Sequence, residues 1–384
     1  MGLLRVCFAR TQTWLQAGKY VSALVSDLPS RNGWSVAEHA GDRAPDRSQR
    51  LLSRASWNEM AAMSQVRKYA AAGLDDAARR SRRRRMTVAA LDETGQEKQG
   101  AGTAGVKRQY MGCAGRVANG INTVHLSYVR EKTGHALVGA RQWIPAEDIS
   151  DPVKSLVTGL PLDLRFRTKG QLAIDVLADA YADGICFDFA CGDEVYGSCT
   201  GLREFLEDRG QAYVLRVASS FTLALAPGTR MTCADAVKKL LKDKKGREVR
   251  SAGKGSKGER WYAWAWLGTA SPAAQPAGPP PPEDRRAGLS LLLRARRAGR
   301  VQGPADQGSG PALAGRGKAS SSRRAASAWT SARPGSTPQS CGTSCWSWPP
   351  SRFARSPPPS CGNAPTARPR RPPGRTTSHP PTPA

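Results

Sequence analysis

Residues Met86 to Gly100 read MTVAALDETGQEKQG. An apolar run, Met86 to Leu91, stops at two carboxylates, Asp92 and Glu93, which Thr94 and Gly95 follow at once. A run this short, bounded by polar turn formers, predicts a buried strand rather than a helix. The strand is expected to end where the carboxylates begin, with Asp92 at its mouth. There Asp92 and a second carboxylate could bind a hard divalent cation through oxygen ligands. An acidic turn after a core strand would use the same residues, so the surroundings have to discriminate.

Downstream, Gly100, Gly102 and Gly105 lead into Val106 to Tyr110, and two further strands are expected over Thr123 to Val129 and Ala136 to Trp143. The turn around Lys132-Thr133-Gly134 suits a hairpin, so three consecutive strands should pair antiparallel. A helix over Lys169 to Ala182 precedes a strand over Ile185 to Ala190, and then come Gly192-Asp193-Glu194-Val195-Tyr196-Gly197. The opening pattern recurs: a buried strand delivers a carboxylate pair at its end. A helix over Leu202 to Arg209 and strands over Tyr213 to Val217, Phe221 to Leu225 and Trp261 to Trp266 complete the core, the last two flanking the lysine-rich Lys238 to Lys257. A three-strand meander, then a helix and a strand, with acids ending the first and fourth strands, predict an α/β, ribonuclease-H-like mixed sheet.

Upstream, Thr11 to Leu28 has helical spacing and ends before Pro29. Ser35-Val36-Ala37-Glu38 has the pattern of a capping box opening a second helix. A third, Asp46 to Trp57, carries Arg47, Arg50 and Arg54, and a fourth runs from Asn58 to about Ala78. Short helix, turn and basic helix fit a DNA-binding helix-turn-helix, and equally a small bundle with a solvated basic face. Arg79 to Arg85, including Arg83 and Arg84, is a candidate phosphate contact.

The chain changes character near Ser271. Of its 28 prolines, 22 fall after that point, with 16 arginines, one lysine and no isoleucine or tyrosine. Such a composition predicts a disordered tail. The division is therefore a helical region at 1–80, a core at 81–270 and a tail at 271–384. The tail holds +14 of the formal charge of +27, leaving +13 upstream. An excess of this size on both parts points to a polyanion, nucleic acid first. No apolar run of membrane-spanning length occurs, and the N-terminus lacks both a signal-peptide core and a myristoylation pattern. The nine cysteines are odd in number and irregular in spacing, as expected of reduced thiols in a cytosol. Cys186, Cys191 and Cys199 do not have a zinc-site spacing.

Taken in order, LDETGQEKQG (Leu91 to Gly100), KRQYMG (Lys107 to Gly112), FRTKGQLA (Phe166 to Ala173) and GDEVYG (Gly192 to Gly197) resemble the DDE transposases of bacterial insertion sequences. RNGWSVAEHAG (Arg31 to Gly41) is similar to that family's N-terminal helical region, and the likeness runs over about residues 8–270. The resemblance implies metal-dependent cleavage and transfer of DNA strands at element ends. Asp92 and Asp193 match the first two carboxylates of a site that holds Mg²⁺ or Mn²⁺. Glu93 and Glu194, pointed elsewhere by strand alternation, are not assigned as ligands. Lys107, Arg108, Arg167 and Lys169 are candidate phosphate contacts, as are Arg50 and Arg54. The implied partners are double-stranded DNA at terminal inverted repeats and a second copy of the chain on that DNA, in the bacterial cytoplasm and at its nucleoid.

The family's third carboxylate, a helical Glu, would fall after residue 271, where only Glu283, Asp284 and Asp306 occur among prolines and glycines. The tail's residues are those of GC-heavy codons, as in a GC-rich gene read out of frame. The expectation is a frameshifted or truncated transposase, inactive as written. Two alternatives stay open: a non-catalytic DNA- or RNA-binding protein with a basic disordered tail, and a ribonuclease-H-like nuclease that does not transpose.

Overall fold

The structure, a computed structural model, describes residues 1–80, 85–100, 102–242, 248–255, 258–264, 275–277 and 291–295. A 3-10 turn at Gly2–Cys7 leads into four helices: α1 (Thr11–Val25), α2 (Gly33–His39), α3 (Asp46–Ser53) and α4 (Glu59–Arg79). Helix α1 stops three residues short of the expected Leu28, because the Ser26 hydroxyl and amide both turn back to the Ala23 carbonyl. The capping box of α2 is also displaced. Asn32, not Ser35, is the N-cap: its Oδ1 accepts from the amides of Trp34 and Ser35, and the Ser35 hydroxyl accepts from the Asn32 amide. Asn and Ser are comparable caps, and capping by Asn32 starts the helix at Gly33, three residues earlier than a Ser35 cap would. Helix α3 ends at Ser53 rather than Trp57, and Trp57 stacks on Phe8 at a ring separation of 5.3 Å.

Next come β1 (Thr87–Glu97), β2 (Lys107–Met111), β3 (Arg116–Arg130), β4 (Gly134–Trp143), the short helices α5 (Ala146–Ser150) and α6 (Pro152–Thr158), and α7 (Lys169–Ala182). They are followed by β5 (Phe189–Gly192), α8 (Glu194–Gly197), α9 (Thr200–Asp208), β6 (Tyr213–Val217), the hairpin β7 (Thr222–Ala226) with β8 (Thr229–Thr232), and α10 (Cys233–Lys242). The hairpin β9 (Glu248–Gly255) with β10 (Gly258–Trp264) precedes β11 (Gln275–Ala277) and β12 (Leu291–Ala295). In the main sheet the order is β11-β12-β6-β5-β1-β3-β2, with β4 also on β3. Strands β1, β5 and β6 run parallel, and the β1-β3-β4 meander is antiparallel, as expected of a ribonuclease-H-like mixed sheet.

The far edge of β3 is shared, with β2 on residues 116–120 and β4 on residues 122–130. Helix α7 covers one face of the sheet: Leu172, Val176, Leu177 and Ala180 pack in a cluster with Ala89, Leu91, Leu126 and Tyr128. Helix α4 joins the same cluster through Ala71 and docks on β4 with a buried arginine, Arg67, only 2% exposed. The Arg67 Nε donates to the Val138 carbonyl at 2.7 Å and Nη1 to Asp183 Oδ2 at 2.6 Å. Two short strands interrupt the proline-rich stretch after Ser271, and β12 pairs antiparallel with the whole of β6. The remaining residues of that stretch lie outside the described residues.

Candidate active site

Strand β1 does not end at Asp92. It pairs with β3 without interruption from Thr87↔Arg130 to Glu97↔Gly120, so Asp92 and Glu93 lie inside the ladder. The extension exists because β3 is long enough to serve both ends of β1. Glycine at 95 also leaves room for a neighbour: a Cβ there would come within 2.5 Å of Met111 Cε, and one at Gly120 would meet the same atom at 2.5 Å. The Met111 side chain fills the space over both glycines and binds β2 to the extension.

What changes at Asp92 is the other neighbour. The parallel strand β5 pairs with β1 at Val88↔Phe189, Ala89↔Ala190 and Ala90↔Cys191 and then stops. Two residues beyond this last rung stand Asp92 on β1 and Asp193 just after β5. The expected strand at Ile185 to Ala190 begins later, at Phe189, because the Ile185 amide still closes α7 and Asp188 binds the Thr87 amide at 2.8 Å. Beyond Gly192 the chain turns into α8, whose N-cap is Asp193: its Oδ1 accepts from the Val195 amide at 3.0 Å. Helix α8 lies hard against β6, since a Cβ at Gly197 would stand 1.8 Å from the Arg216 carbonyl oxygen. Asp193 is thereby held between a strand end and a packed helical turn.

Alternation separates the adjacent acids. Glu93 lies on the α7 face, where Lys169 Nζ donates to its Oε1 at 2.6 Å and the Tyr196 hydroxyl reaches Oε2 at 3.4 Å. Tyr196 is fully buried, and burial first, then the negative charges of Glu93, Asp193 and Asp92, push its hydroxyl pKa upward. Both causes favour the protonated phenol. Asp92 accepts from the Glu93 amide at 2.9 Å. Glu194, the other neighbouring acid, pairs with Arg216 at 2.9 Å.

Two neighbours escaped the sequence reading. Tyr196 stands three residues after Asp193, and its only signal was the polar-apolar pattern of GDEVYG. His125 is the cross-strand partner of Asp92, half-buried, with its pKa lowered by desolvation. Only the β1-β3 register reveals it, and that register is a long-range fact.

The candidate DNA contacts are scattered. Arg50 and Arg54 are exposed on α3 and at its C-terminal cap. Arg83 and Arg84 lie outside the described residues. Lys107 pairs with Glu147 at 2.5 Å and sits 5.9 Å over the Trp143 ring, and Arg167 pairs with Asp175 at 3.3 Å. Lys169 is engaged by Glu93, while Arg108 is exposed.

Among the described residues no three His, Cys, Asp or Glu side chains form a metal-sized cluster. The pair Asp92 and Asp193 is nonetheless the donor set a hard cation takes, since Mg²⁺ is commonly held by one or two carboxylates completed by water and substrate phosphate. No described helix is long and apolar enough to cross a membrane. No curated protein sequence matches the chain. The family model of the DDE superfamily endonuclease matches residues 4–247, well over half of the 384, and takes in α1 to α10 with both carboxylates. The chain therefore belongs to the DDE superfamily of endonucleases.

Proposed function

We propose that this chain is a transposase of the insertion-sequence type whose DNA-binding surfaces and first two carboxylates are in place, and which does not cut DNA as written. Family membership implies DNA as the substrate and a divalent metal in the reaction. The observation that supports the reading is the parallel pairing of β1 with β5 up to Ala90↔Cys191, two residues beyond which each segment carries an acid, Asp92 and Asp193. These two would hold Mg²⁺ or Mn²⁺, which when bound supplies the positive charge that stabilises the attacking and leaving oxygens of an in-line phosphoryl displacement. Around them the protein works by position. Asp193 is immobilised by its capping role, Tyr196 presents a neutral hydroxyl under the acids, and α7 closes the face behind Glu93. Arg50 and Arg54 on α3, Arg83 and Arg84, and the cations Lys107, Arg108, Arg167 and Lys169 are proposed to neutralise phosphates of double-stranded DNA at the inverted repeats, with a homodimer formed on that DNA in the cytoplasm, at the nucleoid.

Inactivity follows from the missing third carboxylate. The candidates Glu283, Asp284 and Asp306 lie outside the described residues, in a stretch rich in helix-breaking proline. Calorimetry is expected to show weak Mn²⁺ binding that Asp92→Asn removes, with no Mg²⁺-dependent strand cleavage by the 384-residue chain. Reading the gene in its other frames beyond the codon for Ser271 should uncover a helix-patterned stretch with a Glu, and restoring that frame should restore cleavage. Robust cleavage by the unmodified chain, abolished by Asp92→Asn, would show a tail carboxylate completing the site. Binding of DNA that ignores Asp92 and Asp193 altogether, in either frame, would favour the non-catalytic DNA-binding reading.

A further inference from the structure

The extension of β1, β2 and β3 beyond the parallel part of the sheet has two faces of different character. In an antiparallel ladder residues directly opposite share a face, and successive residues alternate. Asp92 pairs with His125, Thr94 with Thr123 and Gln96 with Ile121, so these lie on one face. Continuing along β3, that face carries Asn119 and Val117, whose partners on β2 are Arg108 and Tyr110. The opposite face is occupied: Met111 covers Gly95 and Gly120, and Lys107 is tied to Glu147 over Trp143. On the face of Asp92, by contrast, the Tyr110 side chain is 67% exposed, Val117 opposite it is 52% exposed, and Arg108 is exposed. Among the described residues the side chains of Arg108 and Tyr110 take part in no ion pair or hydrogen bond.

We propose that Tyr110 and Arg108 form a subsite for an unpaired stretch of the DNA strand that passes Asp92, with Tyr110 stacking on a base and Arg108 contacting the adjoining phosphate. This rests on the transposase-type DNA-binding reading above and adds to it a substrate form and a location. A duplex hides its base faces in the stack, so an exposed ring on a flat sheet is matched by a base that has left it, as on other sheet platforms that bind single strands. From the Asp92↔His125 rung to the Tyr110↔Val117 rung is eight residues of β3. At ~3.3 Å per residue this is about 26 Å. A stacked strand rising ~3.4 Å per nucleotide spans it with about eight nucleotides.

The test is fluorescence anisotropy on the full 384-residue chain with two labelled probes, a blunt duplex and the same duplex carrying an unpaired tail of that length. The wild-type chain should bind the tailed probe about tenfold more tightly, in line with the loss from one base–aromatic stack. Tyr110→Ala should remove that preference and leave the blunt probe unchanged, whereas Tyr110→Phe, which keeps the ring, should retain it. Arg108→Ala should lower the salt slope for the tailed probe by about one. Equal binding of both probes, indifferent to Tyr110→Ala, would overturn the subsite while leaving DNA binding intact. Equal weakening on both probes would overturn it too, by making Tyr110 a duplex contact. No binding of either probe would fail the parent reading and the subsite with it.

Discussion

Asp92 and Glu93 are neighbours in sequence and opposites in role. Asp92 lies on the face of β1 that carries His125 of β3, while Glu93 is enclosed with Lys169 and Tyr196, its side chain and that of Lys169 each about a quarter exposed. Their separation was legible in the sequence, because strand alternation requires it. The engagement of Lys169 was not, because a lysine that opens a helix looks the same whether it faces solvent or a carboxylate 76 residues away. Glu93→Gln should therefore lower stability by about 1–2 kcal/mol, between the values of exposed and buried pairs, while Mn²⁺ binding persists. Urea denaturation and calorimetry would separate the two effects, and loss of Mn²⁺ affinity in a folded Glu93→Gln protein would make Glu93 a ligand.

At the scale of elements, the long periodic pieces were legible and the short ones were not. Helix α7 has the expected bounds and β6 likewise, since each holds a full period of buried side chains. Helices α5, α6 and α8 are too short to show a period, and β1 outran its apolar run because pairing with β3 can hold polar residues in a strand. The docking of α4 was also invisible, for it turns on the one arginine that its pattern buries. Asp183, which Arg67 grips, also accepts from Ser64 at 2.6 Å and pairs with Lys68 at 3.1 Å. Burial alone would raise its pKa, but these hydrogen bonds and the two cations outweigh it and hold the carboxyl below the ordinary aspartate range. The group binds its proton less readily folded than unfolded, so its contribution is present at neutral pH and is lost as pH falls through the folded-state pKa. Arg67→Ala should destabilise the protein by about 3 kcal/mol, the low end for breaking a buried pair because Lys68 still faces Asp183. Equilibrium unfolding at neutral pH checks this, and the gap between wild type and variant should narrow in acid.

For the molecule as a whole, charge was the most legible property and the third carboxylate the least. A net +27, with both the core and the proline-rich stretch basic, predicts duplex binding that weakens steeply with salt, because each neutralised phosphate releases counterions. Arg50→Ala combined with Arg54→Ala should weaken gel-shift binding at every sequence tested and flatten the salt slope by about two. Unchanged slopes would remove α3 from the interface. Where the sequence leaves the family's pattern, periodicity ceases to inform, since proline and arginine in such density have no apolar face to bury.

The parallel pairing of β1 with β5 also has a consequence in time. Thr87 and Asp188 are bonded across 101 positions of chain, whereas β2, β3 and β4 find their partners within short hairpins. At a translation rate of about 5–20 residues per second, Asp92 emerges some 5–20 s before Asp193 exists to stand beside it. The antiparallel half is therefore free to form first, and the acidic pair closes only when β5 inserts, slowed by the entropy of so long a loop. Both acids are synthesised before Ser271, so a change of reading frame beyond that point leaves them in the chain.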